Sequence, residues 1–254
     1  MDNVDLILLF GGGVLAGMIN VMAGGAGFMT FPLLIATGLT EMEANACNFV
    51  ALFPANLVGS WVYRHEVHAV RRHLGLRLAL AVVGGAAGSF LFVHLGEASF
   101  HAAIPWLLVF ATLSFGLGPR IRDRLHAMPS FEAARWLWLS FLLEFVVFVY
   151  GGYFGLGMGI ILLAIHSIFS RLDIFHANAL RNLTVALMTL VSIVIFVAAG
   201  LVRWVPAAAM MAGAIIGGYG MAQVARRVPQ HLVRNAILCW SVALTVYSFW
   251  RYSG

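Results

Sequence analysis

Apolar runs of bilayer-crossing length dominate this chain. A membrane-spanning helix needs about 20 apolar residues, and residues 44–63, 74–94, 101–118, 177–200, 204–224 and 231–250 meet or approach that length. Two further stretches, 6–37 and 136–169, are too long for one crossing and are interrupted by glycines. Only 10% of the 254 residues are charged, against about 25% in a soluble domain. That charge cannot wet a surface, so the apolar surplus must face lipid. The expectation is an all-α integral membrane protein, one membrane domain over 1–254. Asp2 and Asp5 open the chain without a basic residue. A secretory signal begins with positive charge, so 6–23 is expected to be retained as structure.

The two interruptions are Asn20-Val21-Met22-Ala23-Gly24-Gly25-Ala26-Gly27, with Pro32 after it, and Tyr150-Gly151-Gly152-Tyr153-Phe154-Gly155-Leu156-Gly157-Met158-Gly159. Each Gly costs a helix about 1 kcal/mol relative to Ala. In lipid, backbone freed by a break survives only where it is buried or lines a cavity. The breaks occupy matching places: an Ala-Asn-Ala triplet follows each, Ala44-Asn45-Ala46 and Ala177-Asn178-Ala179, 133 residues apart. Paired Gly-interrupted segments in the two halves of a chain point to a transporter's binding site.

The basic residues orient the halves. All fifteen are Arg, and cytoplasmic loops carry the excess of positive charge. If each broken segment crossed once, Arg171, Arg226, Arg227 and Arg234 would face outward. If each is a re-entrant hairpin, Arg64, Arg71, Arg72, Arg77, Arg120, Arg122, Arg124, Arg135 and those four face the cytoplasm. Arg203 and Arg251 then face out, and Arg181 lies within a span. The hairpin arrangement predicts two inverted repeats, about 1–118 and 136–254, joined by a cytoplasmic linker over about 119–135. Each repeat is a Gly-broken re-entrant helical hairpin plus three transmembrane helices, and both termini are periplasmic.

Helix ends exposed at such breaks aim backbone N–H groups at a central cavity and favour an anion. The candidate substrate-binding residues are Asn20, Gly24, Gly25, Gly27, Asn48, Gly155, Gly157, Asn178 and Arg181, with Asn45 and Asn182 nearby. An Arg inside a span is costly unless paired or solvated, and its planar fork suits an oxyanion. Snorkelling to the interface is the other reading, as are capping and interhelical hydrogen bonds for the asparagines. Glu144 sits in an apolar run with no basic neighbour in sequence. It is either a proton carrier with a raised pKa or a carboxylate paired with a distant arginine. His166 and His176 flank the second hairpin, and His176 is the second proton-coupling candidate beside Glu144. Cys47 and Cys239 read as small buried hydrophobes, with contact to a soft sulfur substrate open for Cys47. Gly84 with Gly88 and Gly213 with Gly217 have the spacing of close helix packing. The tryptophans at 61, 106, 136, 138, 204, 240 and 250 read as interfacial anchors.

The run from Gly17 to Gly27, then Pro32, Gly38-Leu39, Ala44-Asn45-Ala46-Cys47-Asn48 and Pro54, resembles the first repeat of the TauE/SafE sulfite exporter family. The run from Tyr150 to Gly159 with Ala177-Asn178-Ala179 and Arg181 is similar to its second repeat. The resemblance implies a proton-linked carrier of small anions, often sulfite or organosulfonates, in the bacterial inner membrane, and paired breaks meeting at a midplane site lead us to expect alternating access. Cys47 stands where that family leads one to expect Thr or Ser before Asn48, so a changed substrate is open.

Other classes fit less well. No basic stripe or recognition motif accompanies the charge of +5, which argues against nucleic acid. No Gly-x-Ser-x-Gly or His-Glu-x-x-His motif supports an intramembrane enzyme. An anion channel built on the same breaks is the nearest rival. No cofactor or metal is implied; the expected partners are the anion and the lipid bilayer, with a homo-oligomer left open.

Overall fold

The computed structural model describes residues 2–22, 25–70, 73–126, 137–170, 172–224 and 230–252. Gly24, a candidate binding residue, lies outside them, as do Trp136 and the topology-setting Arg71, Arg72, Arg135, Arg171, Arg226 and Arg227. All regular structure among the described residues is helical: α1 (Asn3–Met22), α2 (Gly27–Ala36), α3 (Glu41–Val62), α4 (Arg64–Ala69), α5 (Leu74–His126), α6 (Leu137–Tyr153), α7 (Met158–Phe169), α8 (Ile174–Ala198), α9 (Trp204–Val224) and α10 (Gln230–Tyr252).

The two halves repeat one local device. A long helix ends at glycines, a short helix follows, and a capped long helix comes next. In the first half Thr40 caps α3 through a capping box with Glu43. In the second, Asp173 caps α8 by accepting from the backbone N–H of Phe175 and His176. Both Ala-Asn-Ala triplets therefore begin three residues into their helices, whereas the apolar runs begin at Ala44 and Ala177 themselves. The long helix α5 is broken at Gly96, where φ is 70°. Its arms, 74–95 and 97–126, contain the two expected spans, but the second continues to His126, into the stretch expected to be the linker.

Among the described residues, four helical segments are long and apolar enough to cross a membrane: Asn3–Asn20, Leu74–Gly118, Phe175–Ala198 and Trp204–Met221. Three shorter helices are also apolar, Gly27–Ala36, Leu137–Tyr153 and Met158–Phe169. Helices α3 and α10 have the length, 22 and 23 residues, but carry more polar groups than their apolar runs suggest. On α3 several of these turn inward: Asn45 and Asn48 are buried. The outer surface is apolar, with Ile7, Phe90, Trp106, Val194, Ile216 and Trp250 all exposed. The chain is an α-helical integral membrane protein. Trp61, Trp138, Trp204 and Trp240 are exposed as well, in keeping with anchors, although Trp240 also donates Nε1–H to the Phe28 carbonyl at 3.0 Å.

Helices from one half pack along helices from the other. α1 lies on α9 and α6 on the first arm of α5. A methyl on Gly13 or Gly17 would strike the carbonyls of Met210 or Ala214, and one on Gly213 or Gly217 those of Phe10 or Val14. Across the other pair, Gly88 meets the Val149 carbonyl and Gly152 that of Gly85. Lipid supplies no hydrophobic drive for helices to associate, so this backbone-to-backbone approach provides the contact. The pairing order (Phe10 with Gly213, Val14 with Gly217) makes α1 and α9 parallel. Helices α3 and α8 are antiparallel, with Gly59 against Asn182 at one end and Cys47 against the Arg203 backbone at the other.

Two arginines counted as loop cations are not in loops. Arg77 is 3% exposed and ion-paired inside the protein. Arg234, one turn into α10, donates to the carbonyls of Phe115 and Gly116 at 3.4 and 3.2 Å. Arg64, Arg124 and Arg203 are exposed as expected.

Candidate functional site

The two glycine-broken loops meet inside the helices. A methyl placed on Gly27 would sit 3.1 Å from Leu156 Cγ of the second loop and 3.4 Å from Asn48 Nδ2. Gly25 and Gly155 both take φ of 81°, and Gly157 takes 78°, a left-handed backbone that favours glycine. Neighbours leave these turns little room. An added methyl would lie 2.7 Å from Phe115 at Gly25, 3.2 Å from Phe49 at Gly155 and 3.1 Å from the Ala111 carbonyl at Gly157. Helices α3 and α5 thus clamp both loops.

Polar groups fasten the junction. Thr30 donates its hydroxyl to Asn48 Oδ1, and both side chains are buried. Asn45 donates Nδ2 to the Tyr153 carbonyl at 3.2 Å, and its Oδ1 is buried without a hydrogen-bond partner. Tyr150 donates its hydroxyl to the Leu156 carbonyl at 2.6 Å, which pins the second loop.

Arg181 approaches from α8. Its Cδ would lie 3.7 Å from a methyl on Gly159, in the first turn of α7. Nη2 donates to Asn182 Oδ1 at 2.8 Å, and the Asn182 amide rests against Gly59 of α3. Among the described residues no carboxylate forms an ion pair with Arg181. A guanidinium with spare donors thus stands beside the positive end of α7, and the two fields add. Such an arrangement can donate hydrogen bonds to a small oxyanion.

The remaining candidates divide. Asn178 is partly buried one turn before Asn182 on α8, and Asn20 is partly buried near the end of α1. Glu144 is fully buried and paired with Arg77 at 2.5 Å, so the distant-arginine reading describes it. His176 is held by Asp173 at 2.6 Å at the partly exposed start of α8, where it serves the cap. Cys47 is buried with its Sγ against the backbone of Arg203, turned away from the loops, so the substrate-contact reading is not supported. Cys239 is exposed, contrary to the buried reading, because its face of α10 points outward.

Sequence reasoning missed Thr30, Tyr150 and Arg77. Thr30 lies three residues after Gly27, on the same helical face, and that spacing was the available signal. Nothing in the sequence marks Arg77 as the partner of Glu144, 67 residues away.

Comparison with known proteins agrees with a membrane protein. The chain is similar to a protein of Haemophilus influenzae named "Probable membrane transporter protein", 25% identical over 244 residues, covering 96% of this chain and 94% of that one. It is also similar to an Escherichia coli protein named "Probable membrane transporter protein YfcA", 22% identical over 243 residues, covering 94% and 87%. No solved structure matches. The family model described as Sulfite exporter TauE/SafE matches residues 9–248, nearly the whole chain. This protein therefore belongs to the TauE/SafE sulfite exporter family of membrane transporters.

Proposed function

We propose that the chain is a secondary transporter of small anions of the sulfite or sulfonate type in the bacterial inner membrane, working by alternating access and coupled to protons. The anion binds where the loops meet, on Arg181, the first turn of α7 and the amides of Asn48, Asn178 and Asn182, with Gly25, Gly27, Gly155 and Gly157 shaping the loops. The observation that carries this reading is Arg181, partly buried beside a helix N-terminus, with no carboxylate partner among the described residues. Membership of a sulfite exporter family supplies the solute class.

Contacts at the open ends of the hairpins support the inverted-repeat topology. The first hairpin opens where Glu43 pairs with Arg203 at 2.6 Å, and the second where Arg77 reaches Ser170 at 2.7 Å. With α3 antiparallel to α8, each hairpin returns to the face it left, and the faces are opposite. The terminus at Asn3 lies at the Arg203 end, which positive-inside logic makes periplasmic.

The test is purified protein titrated with sulfite, ethanesulfonate and acetate while thermal unfolding is followed, since only a ligand that prefers the folded state raises the midpoint. Sulfite is expected to stabilise wild type and not Arg181→Ala, with Arg181→Lys intermediate because a lysine lacks the planar fork. Equal stabilisation of wild type and Arg181→Ala would remove Arg181 from the site.

A further inference from the structure

A buried polar cluster lies away from the loops, within the open end of the second hairpin. Glu144 of α6 and His166 of α7 are each 0% exposed, and Arg77 of α5 is 3% exposed. Glu144 Oε1 accepts from Arg77 Nη1 at 2.5 Å and from Ser140 Oγ at 2.8 Å. Arg77 also donates Nη2 to Ser170 at 2.7 Å and lies over the Phe141 ring, 5.2 Å from its centroid. The arginine and one carboxylate oxygen are thereby fixed. The other half of the cluster is not. Glu144 Oε2 has no hydrogen-bond partner, and neither does either ring nitrogen of His166. Oε2 and His166 Nε2 face each other across 3.8 Å.

That gap is informative. A neutral imidazole with its proton on Nε2 would donate to the carboxylate at about 2.9 Å. A neutral ring with its proton on Nδ1 turns a lone pair toward an acceptor-only carboxylate, and the two repel. At 3.8 Å Nε2 and Oε2 share no hydrogen bond, so a proton carried on Nε2 has a carboxylate oxygen facing it. Adding a proton at Nε2 converts lone pair against lone pair into a charge-assisted N–H···O bond.

We propose that His166, with Glu144 as its acceptor and Arg77 as fixed counter-charge, forms the proton-binding site of this carrier. The proton arrives from water at the open end of the hairpin and adds to Nε2. The new N–H bonds to Glu144 Oε2, which stays ionised, and release reverses the step with no other bond changed. Of the elements packed on α7, α5 contributes Arg77 and α6 contributes Glu144 to this group; α8 brings the Ala177 backbone beside the ring. His176 is occupied by Asp173. Protonation draws α7 toward α6, and α7 carries at its other end the Gly159 turn that faces Arg181. The use of this site in transport rests on the proposed function; the existence of the site does not.

The test is 15N NMR of bilayer-embedded protein with 15N-histidine, titrated from pH 8 to pH 5 without any solute and assigned by difference with His166→Gln. One ring is expected to pass from the neutral to the doubly protonated signature within that range, and to be absent from His166→Gln. Should that variant not fold, Glu144→Gln serves instead: it removes the acceptor charge and should lower the proton affinity of that one histidine at least about tenfold. A His166 ring that stays neutral down to pH 5, or a titration indifferent to Glu144→Gln, overturns the proposal. In proteoliposomes, wild-type sulfite flux should follow an imposed pH gradient, and His166→Gln flux should not. Gradient-driven flux that survives His166→Gln overturns the coupling role. If wild type moves no sulfite while His166 still titrates, the assigned solute fails and the proton site stands.

Discussion

Two glycines on one helix test the packing argument against each other. Gly217 and Gly220 are three residues apart on α9, and both become alanine. At Gly220 no atom lies within 4 Å of the added methyl, so the change contributes only its helix propensity, a gain of up to about 1 kcal/mol. At Gly217 the methyl would overlap the Val14 carbonyl and lie 2.8 Å from Val14 Cα, against about 3.5–4.0 Å for carbons in contact. The helices must separate by about 1 Å, and the obstacle is backbone, which no rotamer change can move aside. Overpacking costs about 1–3 kcal/mol, and the upper end applies because Gly13, Gly17 and Gly213 lose their close approach together. After the propensity gain, Gly217→Ala should destabilise by about 2 kcal/mol, roughly a thirtyfold change in the folding equilibrium. Reversible unfolding of each variant in mixed micelles, followed by tryptophan fluorescence, measures both. Equal effects, or a stabilised Gly217→Ala, would refute backbone contact as the basis of the α1–α9 pair.

Two further outcomes follow from charges. Arg77→Ala leaves Glu144 buried with an uncompensated charge and should destabilise by about 3–5 kcal/mol. Arg77→Met combined with Glu144→Leu should recover most of that loss, as measured in the same unfolding assay. At the exposed start of α8, the backbone N–H and then the ring of His176 hold the Asp173 carboxyl below its ordinary value. A carboxyl depressed by folding contributes stability above its unfolded pKa, about 3.9, and loses it as pH falls through the folded value. Protection of the first-turn amides of α8, measured against their intrinsic exchange at each pH, should therefore fall below about pH 4, and Asp173→Asn should blunt that response.

The membrane class, the two loop breaks and the repeat of the Ala-Asn-Ala triplets were legible because they are local or periodic features. Apolar run length is set by bilayer thickness, and a cluster such as Gly151 to Gly159 cannot remain one helix at any position in a fold. The triplets share a register because Thr40 and Asp173 set the starts of their helices, and caps are short-range signals. Spacing also showed that Gly84, Gly88, Gly213 and Gly217 permit a close approach. It could not show to what, since a glycine stripe fits any smooth partner. That partner belongs to the other half in each case, and the identity of a facing helix depends on topology, which periodicity does not encode.

The same limit explains the errors in the charge reading. The positive-inside rule treats every arginine between apolar runs as solvated, and it holds for Arg64 and Arg124. Arg77 and Arg234 lie as close to apolar runs as those two, but each points into the protein because an acceptor waits there. For Arg77 it is the Glu144 carboxylate, and for Arg234 the carbonyls of Phe115 and Gly116. An ionisable group leaves the interface only when the interior offers enough bonds to offset its desolvation, and those bonds come from residues more than sixty positions away. Arg181 differs in this respect. Its position inside a span was legible, and the structure supplies an amide and a helix end near it but no carboxylate among the described residues. A partly buried cation with donors to spare is costly unless paired or solvated, and that cost is the ground for proposing that the anion binds on α8 beside the second loop.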